Sequence, residues 1–232
     1  MSEINLNTNL SSCIINNAPG VKDGNRPGPG SSDREAVNEI IMLEWQAFDK
    51  VVNEGGRASC QDDFDTFSIM RRSQYDTWTD EMIDSFIDDF YSANERGWNL
   101  ITEKYARMEK STAPDEYEKI KDELPPVSEA KEAIVDQIVD IQVGWMEEFA
   151  ARYPKAAANS RSIRSSSDTK DNTSYETYLR GELLTYSDRT LALYGQFIVK
   201  LAGNRKNLAF MIMENTARAY GYAGLDDMEA KI

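Results

Sequence analysis

Glu44 and Glu182 each interrupt a row of apolar residues that recurs at helical spacing. Glu44 falls between Ile41 and Phe48 on one face. Glu182 lies on the stripe Tyr175, Leu179, Tyr186, Thr190, Leu193 and Phe197, with Tyr178 and Arg180 close by. A lone carboxylate carried into an apolar interior is strongly disfavoured. Such a placement therefore points to acid–base chemistry, with desolvation raising the pKa toward neutrality, or to a buried Arg–Glu bridge that fixes helix register. Near the C-terminus Leu208, Met211, Ile212, Asn215 and Ala219 form an inward row, and Glu214 with Arg218 has the i, i+4 spacing of an ion pair along one helix edge.

The loop Gly55-Gly56-Arg57-Ala58-Ser59-Cys60-Gln61-Asp62-Asp63 concentrates donors, a thiol and two acids just before a helix start. Its glycines free the backbone to turn, and amides at a helix start beside the planar fork of Arg57 suit a substrate carboxylate. The competing reading is local: Ser59 or Asp62 caps the next helix and Arg57 answers an acid on a neighbouring element. Cys60 has the surroundings that lower a thiol pKa, but no histidine is present to act as its base.

That absence is general. The chain has 232 residues and no histidine, which removes Ser-His-Asp and Cys-His catalysis, His-ligated zinc and histidine-dependent di-iron sites. Proton transfer falls to Glu, Asp, Lys, Tyr, Cys or water. A net charge of -14 without a basic stripe opposes nucleic acid as a partner. Cys13 and Cys60 form no CxxC pair, so no zinc site or disulfide framework is expected. No cofactor is indicated; the one metal chemistry left open is magnesium or manganese held by oxygens alone, for which Asp88-Asp89 is the obvious acid pair, although a solvated face explains it more simply. No apolar run is long enough to span a membrane and no secretory leader is evident, so a cytoplasmic protein without membrane association is expected.

The elements that must position these residues read as helices. Residues 1–32 stand apart: 18 of them are Asn, Ser, Gly or Pro, which predicts a disordered tail with a short apolar patch at Cys13-Ile14-Ile15. Ser32 and Glu35 have the form of a capping box before a long amphipathic helix ending at Gly55-Gly56. Further helices are predicted over about 62–75, from Thr79, over 99–110, from Ser128 to Pro154, over 175–201 and over about 204–222. The polar stretch 156–174, with Arg161, Arg164 and Lys170, is long enough to be a functional loop. No two-residue alternation marks a strand. The expectation is an all-α single domain, a bundle of about seven helices over 33–232.

Several separated blocks share a family likeness: Glu44-Trp45, the loop from Gly55 to Asp63 with Thr66-Phe67 and Ile69-Met70-Arg71, Asn99 to Met108, Tyr178-Leu179-Arg180-Gly181-Glu182-Leu183, and Met213-Glu214-Asn215-Thr216. Together they resemble the domain-of-unknown-function 4125 family over about residues 35–232. The resemblance implies no activity, but its blocks coincide with Glu44, Arg57 to Asp63, Glu103 to Tyr105, Arg180, Glu182 and Asn215. The segment before Asp33 looks like an addition to the family pattern.

These residues together predict an enzyme of small-molecule metabolism with its site between helices, acting on a small substrate that bears a carboxylate or an amine, by elimination, cyclisation or isomerisation. Glu44 or Glu182 is the acid–base group, and Tyr105 or Tyr178 donates to developing charge. Arg57 and Arg180 position the substrate, with Ser59, Cys60, Gln61, Asp62, Asp63, Glu103, Lys104 and Asn215 completing the binding set. Self-association is left open. The alternative is a non-catalytic helical interaction module whose interior acids are structural bridges.

Overall fold

The computed structural model describes residues 35–53 and 55–232. The tail 1–32, its Cys13-Ile14-Ile15 patch and the Ser32 cap lie outside the described residues. Among those described, all regular structure is helical apart from isolated bridge residues, Asn53 and the pair Thr169 and Asn172. The helices are α1 (Glu35–Asp49), α2 (Phe64–Tyr75), α3 (Asp80–Glu95), α4 (Leu100–Thr112), α5 (Pro114–Ile120), α6 (Glu129–Arg152), α7 (Pro154–Ala158), α8 (Tyr175–Thr185), α9 (Asp188–Gly203), α10 (Leu208–Ala219) and α11 (Leu225–Lys231).

The all-α class is as expected, but eleven helices replace about seven. Three of the additions are short. Helices α4 and α6 end just before Pro114 and Pro154, as expected for the latter, and the two prolines then start α5 and α7, because a fixed φ and a missing N–H cost nothing in a first turn. The third, α11, follows Gly224. The fourth difference is a break: the helix expected over 175–201 divides at Tyr186, where Ser187 caps α9 by accepting from Thr190 N at 3.2 Å.

The other starts follow cap chemistry. Thr79, Asn99, Ser128, Ser174 and Asn207 each accept a first-turn amide with the side-chain oxygen. Asn99 also donates to Ala47 O at 2.8 Å, fastening the start of α4 to the end of α1.

Burial follows the helical repeat. Val37, Ile40, Ile41, Ala47 and Phe48 of α1 join Met82, Ile83, Phe86 and Phe90 of α3 and residues of α4, α6, α8 and α9 in the main core. A smaller core joins Phe149 and Tyr153 to Ala209, Met213 and Ala217 of α10 and to Leu225 and Met228 of α11. Helices α4 and α8 approach closely at Gly181, where an added Cβ would lie 2.8 Å from Met108 Cγ and 2.9 Å from Lys104 O. Only glycine permits that approach, and it sets Glu182 beside Lys104. No helix among the described residues is long and apolar enough to cross a membrane.

Candidate functional site

Four helices bring four charges together. Arg71 of α2 donates to Glu44 of α1 through Nη2 at 2.5 Å and Nε at 2.6 Å, a two-pronged pair. The same guanidinium reaches Glu182 of α8 at 3.4 and 3.5 Å, Tyr75 Oη at 2.8 Å and Gln74 Oε1 at 3.0 Å. Lys104 of α4 donates to Glu182 Oε2 at 2.7 Å, while Tyr186 Oη and Gln74 Nε2 donate to Glu182 Oε1 at 3.1 and 3.3 Å. Two carboxylates and two cations, none more than 8% exposed, balance one another. That balance is what makes their burial tolerable, since an unpaired ion there would keep its full desolvation penalty.

The balance also fixes protonation. Burial alone pushes the Glu182 carboxyl up, but Arg71 and Lys104, with hydrogen bonds from Lys104 and Gln74, overcome it and hold the group well below the usual carboxylate range. The desolvation-raised acid anticipated from the apolar stripe is thus reversed at Glu182, because the partners arrive from helices distant in sequence. Arg71 is likewise kept charged: burial opposes it, and Glu182 and Glu44 outweigh that.

Next to this network, where the two cores meet, lies a cavity of ≈ 240 Å³. Arg71, Gln74 and Glu182 form its polar wall. Phe48, Phe67, Met70, Met146 and Leu179 supply an apolar wall, and α10 adds Ala209, Ile212 and Met213. Tyr105, Tyr175, Tyr178 and Tyr194 complete the lining with Gln142, Ser160 and Arg161. Burial raises the hydroxyl pKa of Tyr175 and Tyr194, so both stay protonated, and both donate to Gln142 Oε1, at 3.4 and 3.1 Å. Gln142 is 3% exposed, and its Nε2 has no hydrogen-bond partner among the described residues. Tyr178 carries Lys104 Nζ 3.6 Å from its ring centroid and Arg161 at 4.6 Å. Among the described residues no group of three or more acids or cysteines gathers to hold a metal ion.

A family model described as a protein of unknown function (DUF4125) matches residues 34–230, a span that contains every residue of the network and the cavity. The chain belongs to the DUF4125 family. No curated protein and no solved structure matches it.

Of the residues singled out from sequence in this DUF4125 chain, the cavity gathers Glu182, Tyr105 and Tyr178. Glu44 and Lys104 stand one layer behind, on Arg71 and Glu182 respectively. The glycine-containing loop does not reach the cavity. Arg57 is spent on Asp49 at 2.6 Å, Asp62 at 2.8 Å and Gln61 O at 2.6 Å. Gln61 closes the end of α1, donating to Phe48 O and Val51 O at 2.9 and 3.0 Å and accepting from Ala58 N. Ser59 opens a 3-10 turn, Cys60 packs in the main core, and Asp63, rather than Ser59 or Asp62, caps α2 through Thr66 N.

Three more sit apart. Arg180 pairs with Asp136 at the surface. Asn215 donates to Ser73 O at 3.1 Å and ties α10 to α2. Glu103 faces a separate groove of ≈ 440 Å³, held by Arg107 at 2.7 Å and Trp98 Nε1 at 2.6 Å. Asp88 and Asp89 link α3 to the start of α9, through Arg189 and Ser187 N.

Arg71 and Gln142 were not among the candidate site residues, and Arg161 stood out only as one base of the 156–174 loop. Arg71 and Gln142 carry the same signal that exposed Glu44: Phe64, Phe67, Arg71 and Tyr75 share one face of α2, and Ile138, Gln142, Trp145 and Phe149 share one face of α6. Arg161 has a subtler mark, an arginine on the loop before α8 whose neighbour Arg164 takes the nearby Glu147 while Arg161 takes only Thr173 O at 3.2 Å.

Proposed function

We propose that the protein is an enzyme of small-molecule metabolism that binds a small carboxylate- or amine-bearing substrate in the cavity between α2, α6, α8 and α10. The proposed reaction is a proton-transfer-driven elimination, cyclisation or isomerisation. One observation carries this: a buried carboxylate, Glu182, forms part of the wall of a ≈ 240 Å³ cavity whose remaining lining is largely aromatic and aliphatic. Apolar enclosures with a few convergent polar groups are where small molecules bind.

In this proposal Glu182 is the proton acceptor. It is ionised at rest, and its loosest contacts, to Gln74 and Arg71 at 3.3–3.5 Å, are to the two residues that share the cavity wall with it. A substrate that takes over those contacts strips the carboxylate of stabilising donors and raises its basicity. Tyr175 and Tyr194 remain neutral donors for developing negative charge. Glu44 is a positioning residue, holding Arg71 in place.

A second reading, an inert helical module with structural bridges, is favoured by the neutral sum of the four charges. The two separate in an assay that spares the network. Purified protein is incubated with a small-metabolite extract and the mixture is followed by mass spectrometry, beside an Ile212→Trp variant that fills the cavity. Consumption of one compound with appearance of an isomer or elimination product, abolished by Ile212→Trp in a folded protein, supports the enzyme. No turnover, or turnover indifferent to Ile212→Trp, favours the inert module.

A further inference from the structure

We propose that the cavity's ligand is a carboxylate-bearing molecule with an apolar body and a second oxygen, its carboxylate held by Arg161 and the second oxygen by the amide of Gln142. This rests on the proposal that the cavity holds a substrate, and it specifies the substrate's class.

Charge decides the first half. Glu44 and Glu182 are matched by Arg71 and Lys104, so the cation left over at the cavity is Arg161, which forms no ion pair among the described residues. One of its donors goes to Thr173 O and its guanidinium lies near the Tyr178 ring, which holds the fork in place and leaves its other N–H groups for an anion. Thr173 adjoins Ser174, the cap of α8, so the loop that carries Arg161 is anchored to the helix that carries Glu182.

Hydrogen bonding decides the second half. Tyr175 and Tyr194 both donate to Gln142 Oε1, which fixes the amide with Nε2 as the unsatisfied end. A buried N–H without a partner is unfavourable by itself, so the group that completes it must be an acceptor: a hydroxyl, carbonyl or ether oxygen. Phe48, Phe67, Met70 and Leu179 require an apolar body between the two anchors. The ≈ 240 Å³ of space equals about eight waters at a liquid share of about 30 Å³ each, which suits a molecule of about ten non-hydrogen atoms.

The test uses three probes of that size: 3-(4-hydroxyphenyl)propanoate, 3-phenylpropanoate and 3-phenylpropan-1-amine. Affinities are measured by calorimetry on the full chain and on Arg161→Gln, Arg161→Lys and Gln142→Leu, with melting curves to confirm folding. The hydroxylated acid should bind at least about tenfold tighter than the amine. Arg161→Gln should erase that preference and Arg161→Lys keep part of it, while Gln142→Leu should weaken the hydroxylated acid and spare 3-phenylpropanoate. Preference for the amine, or an acid preference that survives Arg161→Gln, overturns this assignment but leaves a ligand cavity standing. Failure of all three probes to bind at millimolar concentration overturns the assignment as well. Turnover of a different class of compound, blocked by Ile212→Trp, would then show that only the substrate class was wrong.

Discussion

Replacing Arg71 by Met removes the one cation that Glu44 pairs with among the described residues and leaves that carboxylate at 1% exposure without it. Breaking a buried pair from one side costs about 3–5 kcal/mol, most of it the stranded charge. At about 2–4 °C per kcal/mol for a chain of this size, the melting temperature should fall by about 6–20 °C. Methionine keeps much of the side-chain volume, so a cavity accounts for little of the loss. Adding Glu44→Leu to Arg71→Met removes the stranded charge, and the double variant should recover most of the stability. Urea unfolding and thermal melts of the wild type, both single variants and the double variant close the cycle. A loss under about 1 kcal/mol for Arg71→Met, or a double variant no better than the single, would refute the claim that the four charges are held by mutual compensation.

Gly181→Ala should destabilise by about 1–3 kcal/mol, because a methyl group 2.9 Å from Lys104 O must push α4 from α8; a melt within about 1 °C of wild type would show that the contact is soft. Glu182 titrates below the ordinary 4.5 when folded, so its ionised form stabilises the fold fully above that value and the contribution is lost as pH falls toward the folded pKa. The stability gap between wild type and Glu182→Gln in urea should accordingly stay constant from about pH 7 to 5 and narrow below about pH 4.5; a gap that narrows already near neutrality contradicts the assignment. Arg57→Ala and Arg180→Ala break exposed pairs, and each should leave the melting temperature close to that of the wild type and probe binding intact; loss of binding would bring those arginines back into the site.

The helices were legible where local chemistry announces them. Thr79, Asn99 and Ser128 carry their own start signals, and Val37, Ile40 and Ile41 repeat at the right spacing. The break at Tyr186 was hidden because apolar spacing continues across it: Leu183 and Tyr186 lead on to Leu191 and Tyr194 with no glycine or proline between. The acids at Glu44 and Glu182 were visible as intrusions on apolar faces. Their partner was not, because Arg71 lies 27 positions from Glu44 and 111 from Glu182 and meets them only through packing. Conversely, the loop 55–63 resembles a binding site in composition, yet Asp49, Asp62 and Gln61 consume Arg57 locally. Donor-rich sequence states which groups are present and leaves open which of them already have partners.

Electron density inside the cavity of a high-resolution crystal structure of the purified protein would decide most directly whether Glu182 and Gln142 frame a ligand site. Retained ligand or ordered solvent should accept from Gln142 Nε2, with Arg161 turned to the same molecule and Glu182 still on Lys104. A cavity closed by its own side chains, with Gln142 Nε2 donating to a protein oxygen, would contradict it and leave the buried charges as a brace between helices.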